Sequence, residues 1–291
     1  MVNESPDTPP GRRTRRSSRR RLRPTRRGRL LLLVGAVLVL GVAAAVLVPL
    51  LTREPKTAEQ TRSLVIPEGR RAVQVYAAAD KVLGEPAGTT EKAVATADLP
   101  LPAEAKGNPE GYLFPATYPV TSATTPKSLL RYMADTAQSR FGKDHITAGA
   151  QRNNVTVYQT VTIASIVQAE ADTESDMGKV ARVIHNRLDR GMPLQMDSTL
   201  NYALNRSTLD TTTGDTKIDS PYNSYERKGL PPTPIGNPGE QAMVAAISPT
   251  PGPWLYFVTV APGDTRFTDD YAEQQRNVAE FNRNRRGAGT G

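Results

Sequence analysis

From Leu30 to Leu51 the chain carries no charged or strongly polar side chain over 22 residues. At about 1.5 Å per helical residue such a run reaches roughly 33 Å, enough to cross the hydrocarbon core of a bilayer. A secretory leader has a shorter apolar region, about 7–15 residues, and ends in a small-residue cleavage site. This run ends Val48-Pro49-Leu50-Leu51-Thr52-Arg53, without such a site. Residues 30–51 are therefore read as one uncleaved transmembrane helix. Upstream, residues 12–29 hold eleven Arg in eighteen positions. A run that repels itself this strongly cannot bury a core, so residues 1–29 are expected to be a disordered tail. The positive-inside rule places that tail in the cytoplasm and everything after Arg53 outside it. The expected location is the cell membrane, single-pass, with binding of the tail to anionic lipid as a further reading.

The Arg tail also accounts for the net charge. The whole chain is +8, but residues 1–53 hold twelve Arg against Glu4 and Asp7, and the other 238 residues are −2. A basic groove for nucleic acid is excluded as the default for the body. The chain has no cysteine, which excludes disulfide frameworks, thiol nucleophiles and Cys-ligated metals. With only two histidines, His145 and His185, a His-based triad or a multi-His metal site is not expected.

Residues 52–63 read as a polar linker and 64–107 as a small strand–helix segment. The main domain is placed at 108–284 and a frayed tail at 285–291. Within the body, Ser63–Pro67 has the composition of a short strand, and Ala72–Leu83 has helical spacing through Val75, Ala79 and Val82. A short helix is expected near Thr90–Ala97 and longer ones over Pro126–Phe141, Asn154–Thr173, Met177–Arg190, Gly239–Ile247 and Tyr271–Arg283. Trp254–Val260 reads as a strand. Helices with a few separated strands make the fold class α+β, mainly helical.

One residue stands out. Ile163, Ile166, Val167 and Glu170 fall at i, i+3, i+4 and i+7, on one face of a helix. A carboxylate among aliphatics costs free energy unless it is paired or protonated. Burial raises a Glu pKa and keeps it an acid near neutral pH, the property of a general acid. From spacing alone the favoured reading is a glutamate at the stripe's edge that reaches solvent or an Arg. Asp172, Glu174 and Asp176 read as a solvated acidic turn leading into the next helix.

Downstream come turn-rich polar strings: Gln195-Met196-Asp197-Ser198-Thr199, Ser220-Pro221-Tyr222-Asn223-Ser224-Tyr225, and Gly229-Leu230-Pro231-Pro232-Thr233-Pro234-Ile235-Gly236-Asn237-Pro238-Gly239. Amides, hydroxyls and aromatic faces on rigid turns suit a neutral sugar chain, and they suit ordinary loop capping as well.

In order along the chain, these strings resemble the YceG-like (MltG) family of endolytic murein transglycosylases. The resemblance is carried by Glu110-Gly111-Tyr112-Leu113-Phe114-Pro115-Ala116-Thr117-Tyr118, Ala164-Ser165-Ile166-Val167-Gln168-Ala169-Glu170-Ala171 and Asn186-Arg187-Leu188. It continues through Gly191-Met192-Pro193-Leu194-Gln195-Met196-Asp197-Ser198-Thr199, the strings at 220–225 and 229–239, and Tyr256-Phe257-Val258, with a weaker piece at Ile66-Pro67-Glu68-Gly69. It runs from about residue 64 to 280.

The resemblance implies that residues 108–284 form the catalytic domain of a lytic transglycosylase, with Glu170 the catalytic residue. Gln168 occupies a variable position and receives no such role. Gln195, Asp197, Tyr222, Asn223 and Asn237 are expected to contact the glycan. No metal or organic cofactor is implied. The implied partners are peptidoglycan strands and the membrane, with cell-wall synthases as candidates and no nucleic acid. Two departures stand out: Ser198 replaces the family's usual Pro, and the LysM-like module that commonly follows the membrane helix looks missing or reduced. The alternatives are a hydrolytic muramidase with Asp197 or Asp172 as second carboxylate, and a non-catalytic wall-binding or division scaffold.

Overall fold

A computed structural model of the chain describes residues 62–206, 212 and 214–288, with isolated positions between 35 and 45. The Arg-rich tail, nearly all of the apolar run and the linker up to residue 61 lie outside the described residues. No helix among the described residues is long and apolar enough to cross a membrane. The chain divides into two units between Glu59 and Gln60, and the second carries the elements below.

The strand read at the head of the body is β1 (Arg62–Val65). It pairs antiparallel with a strand that has no signal of its own, β2 (Thr117–Val120), with Leu64 opposite Tyr118. Alternation puts Leu64, Tyr118 and Val120 inside. Under this ribbon lies a core of Ile66, Val75, Tyr76, Leu113, Leu129, Leu130 and Met133, drawn from both sides of Asn108. Helix α1 (Ala72–Leu83) ends at Gly84, whose left-handed φ of 76° supplies the C-cap. A short helix α2 (Thr89–Ala93) follows. Helix α3 (Pro126–Phe141) starts where Thr125 and Ser128 form a reciprocal cap ahead of Pro126. Helix α4 (Asp144–Arg152) was not expected from the sequence.

The second core surrounds α5 (Val157–Glu170). Here the one-faced stripe is corrected: every residue from Thr160 to Val167 is buried, so the helix is enclosed on all sides. Its polar members fit by bonding backbone. Thr162 Oγ1 donates to Tyr158 O (3.0 Å) and Ser165 Oγ to Thr162 O (2.7 Å), while Ser165 Oγ also accepts from Ile235 N (3.0 Å). The helix is shorter than expected at both ends. Thr156 caps it with Gln159, and Thr173 is the N-cap of α6 (Glu174–Asp189), accepting from Asp176 N (3.2 Å). Glu170 is therefore the last residue of an enclosed helix rather than a member of its apolar face.

Beyond α6, a short helix α7 (Asp197–Ala203) stands where a loop was expected, and α8 (Glu240–Ile247) packs on α5 and α6. The expected strand is β3 (Tyr256–Ala261), which pairs antiparallel with β4 (Asp264–Thr268) and packs on α9 (Tyr271–Ala288). That helix runs past Arg283, with Arg285 and Arg286 in its last turn, where positive charge favours a helix end. The described body is mainly helical with two separate antiparallel ribbons.

Candidate active site

Glu170 ends α5 facing the start of α7, and local bonding explains why α7 starts there. Gln195 sits at a left-handed φ of 52°, with its amide donating to Ser224 O (2.9 Å). Met196 N donates to Ser224 Oγ (3.0 Å), and the Thr199 and Ser224 hydroxyls meet at 2.8 Å. The buried Arg187 guanidinium holds the same turn, donating to Pro193 O (3.0 Å), Leu194 O (2.9 Å) and Gln195 Oε1 (3.0 Å), and to Leu255 O at 2.6 Å. The first turn of α7 is thereby aimed at α5. Ser198 N, a helix-start amide with no intrahelical acceptor, donates to Glu170 Oε1 at 3.1 Å.

Desolvation pushes the Glu170 carboxyl above the ordinary range. The Ser198 hydroxyl and amide oppose that shift, and the negative charge of Asp197 adds to it. Among the described residues the amide makes the hydrogen bond, and the buried Ser198 Oγ has no hydrogen-bond partner. Beside it, Asp197 Oδ1 accepts the Tyr225 hydroxyl at 2.5 Å. Burial, then the Asp197 and Glu170 charges, push that phenol up. The arrangement holds a carboxyl that keeps its proton more readily than an ordinary glutamate, next to a second carboxylate already engaged by a phenol. Proton donation and return by Glu170 are within its chemistry.

The other expected contact residues divide. Gln195 is exposed and Tyr222 half-buried, with its hydroxyl 2.8 Å from Thr233 Oγ1 and its ring 4.9 Å from the Tyr202 ring. Asn223 and Asn237 are fully buried and do not face a groove. Asn223 Nδ2 donates to Thr216 O (3.0 Å) and Ile218 O (2.9 Å), and its Oδ1 accepts Tyr225 N (3.0 Å). Asn237 Oδ1 accepts Leu113 N (2.8 Å) while Nδ2 donates to Arg70 O (2.7 Å). These amides bond backbone and weld loops together. Gln168 does likewise, accepting Gly239 N at 3.0 Å.

Sequence reasoning missed Glu110. It is 4% exposed, accepts Ala72 N (2.9 Å) and the Tyr202 hydroxyl (3.1 Å), and burial pushes its carboxyl up to about 7. Gly111 makes the approach possible: its φ is 85°, and a Cβ there would lie 2.5 Å from Pro234 Cγ. An acid opening the otherwise apolar string at 110–114 was the available signal.

Two clefts of about 550 and 370 Å³ share Gly229, Leu230 and Pro231 in their walls. Tyr222 lines the smaller, and Glu170 lines neither. His185 is buried, its Nε2 3.0 Å from Ala246 O, and desolvation lowers its pKa. No cluster of metal-ligating side chains occurs among the described residues.

Proteins similar to this chain are known. The chain is 36% identical over 173 residues to a Bacillus subtilis (strain 168) protein named endolytic murein transglycosylase, covering 59% of this chain and 48% of that one. A protein of the same name from Streptococcus pneumoniae serotype 2 (strain D39) is 38% identical over 177 residues, covering 59% and 32%. The chain thus spans about half the length of the first relative and about a third of the second. The crystal structure of a YceG-like protein from Listeria monocytogenes superposes with a TM-score of 0.63 at 28% identity, covering 74% of this chain and 75% of that one. The model of the YceG-like family matches residues 40–280, most of the chain, and the chain belongs to that family.

Proposed function

We propose that the protein is an endolytic lytic transglycosylase that cuts the MurNAc–GlcNAc β-1,4 bond of peptidoglycan strands. The observation that carries this reading is the Glu170 carboxyl, desolvated at the end of an enclosed helix and held by one backbone amide. The names of the relatives support the substrate class.

Glu170 in its acid form donates its proton to the glycosidic oxygen as the bond to the anomeric carbon breaks. As carboxylate it then takes the proton of the MurNAc 6-hydroxyl while that oxygen attacks the anomeric carbon, giving a 1,6-anhydro end. One carboxyl serves both steps because the nucleophile is intramolecular; ordinary glycosidases need a second carboxylate for water or for covalent attack. Ser198 N steadies the charged form between the steps. Gln195, Asp197 and Tyr222 are the expected contact residues that remain at least partly accessible to a strand. Residues 30–51 anchor the enzyme in the cell membrane with the catalytic body outside, where it trims or terminates strands beside cell-wall synthases.

The test is the product. Purified strands digested by the protein should yield ends lighter by one water than hydrolytic ends. Hydrated ends would instead make Asp197, next to Glu170, the second carboxylate of a muramidase. Asp172 is exposed and has no contact that points to such a role. Intact strands with retained wall binding would favour a scaffold.

A further inference from the structure

One helical turn along α7 from Ser198 stands Tyr202, within a cluster that the chemistry above does not use. Residues i and i+4 share a helix face, about 5–6 Å apart. Ser198, whose backbone amide donates to Glu170, and Tyr202 are therefore separated by about one turn of α7. The Tyr202 hydroxyl is tied to buried Glu110 at 3.1 Å, and its ring is flanked by Tyr222. The Arg71 guanidinium lies 5.2 Å over the same ring. Arg71 Nη2 donates to Arg206 O at 2.8 Å, and the Glu110 charge attracts the cation.

Arg71 is thus fixed from three sides and half-buried, yet among the described residues Nε and Nη1 meet no acceptor. Arg187 shows what a structural arginine does in this chain: its Nε and Nη1 are engaged by carbonyls and an amide oxygen. A pre-oriented guanidinium with open donors matches a planar anion through paired hydrogen bonds.

We propose that Arg71 binds a carboxylate carried by the substrate next to the bond that is cut, with Tyr202 and Glu110 as positioning residues. The proposal rests on the glycan-cleavage reading. In a peptidoglycan strand the muramyl sugar bears a peptide on its lactyl group, and that peptide bears free carboxylates. A subsite one helical turn from the Glu170 anchor is the place for such a substituent.

The experiment uses the full chain in detergent, on peptide-bearing strands and on the same strands stripped of peptide by an amidase. The wild type should show higher kcat/KM on peptide-bearing strands. Arg71→Ala should lower the ratio of the two kcat/KM values by about tenfold, the loss of a charge-assisted pair. Arg71→Lys should restore part of it, keeping the charge without the planar fork. Tyr202→Phe, which keeps the ring and releases Glu110, should raise KM on peptide-bearing strands more than it lowers kcat. A wild type without preference overturns the proposal, as does an unchanged ratio in an Arg71→Ala protein with wild-type circular dichroism and melting. Should the wild type cut neither substrate, the cleavage reading falls. The proposal is then judged by calorimetry with N-acetylmuramyl-L-alanyl-D-glutamate: binding about tenfold weaker in Arg71→Ala supports it, and equal affinity overturns it.

Discussion

Replacing Ser198 by proline removes the backbone amide that, among the described residues, holds Glu170. The donor is Ser198 N, 3.1 Å from Oε1. Proline is tolerated in the first helical turn, where its missing N–H has no intrahelical partner to lose. A hydrogen bond to a charged group is worth about 1.5–3 kcal/mol, and this one favours the carboxylate over the acid. Its loss therefore raises the Glu170 pKa further. Activity requires the protonated acid and is lost as pH rises through that pKa. The alkaline limb of the kcat/KM profile should accordingly move up by about one pH unit or more in Ser198→Pro. Ser198→Ala is the control. It keeps the amide and removes a buried hydroxyl that has no hydrogen-bond partner among the described residues, so it should lose no stability, and any shift of its limb separates the hydroxyl's influence on Glu170 from the amide's. The assay is glycan cleavage from pH 4 to 9 on all three proteins, with melting curves to confirm folding. Superimposable limbs for the proline variant and the wild type would refute the idea that this amide tunes the carboxyl.

Glu110 should make stability depend on pH. Its folded-state value of about 7 lies above the unfolded one, so its contribution is present at low pH and is lost as pH rises through about 7. Between pH 5.5 and 8.5 the wild type should lose about 2 kcal/mol more than Glu110→Gln in denaturant titrations; equal slopes would remove that role. Asn237→Ala strands Leu113 N and breaks a bond to Arg70 O, so it should cost about 2–4 kcal/mol of stability. Tyr222→Ala should instead weaken retention on insoluble peptidoglycan at a smaller cost in stability. Deleting residues 30–51 should release a soluble body that still cuts strands in vitro but does not act in cells; a well-folded, inert fragment would contradict that.

Elements with local signals were legible in the sequence. Helix α3 was read with both its observed ends, Pro126 and Phe141, because the cap, the N1 proline and the apolar spacing agree. Strand β2 was not, because four residues become a strand only by pairing with β1 more than fifty residues earlier. Helix α7 is seven residues long and is held by Ser224 and Arg187, so its turn-forming string reads as a loop. Glu170 was singled out for an apolar stripe, whereas its helix is enclosed and only its end reaches the site. Asn223 and Asn237 look alike in sequence whether they face a sugar or a backbone carbonyl, and only the fold turns them inward. Glu110 and Arg71 gave no periodic signal, since they lie 39 positions apart and meet through Tyr202.

The most direct test of the central claim is a paired digest of purified glycan strands by the wild type and by Glu170→Gln, read by mass spectrometry. The swap keeps the shape and removes the titrating group. General acid–base catalysis contributes about 10²–10⁴-fold. Anhydro-ended fragments should appear with the wild type, at rates at least about 100-fold above those of a folded Glu170→Gln protein. Anhydro products from both proteins at rates within a few-fold of each other would contradict the assignment of Glu170.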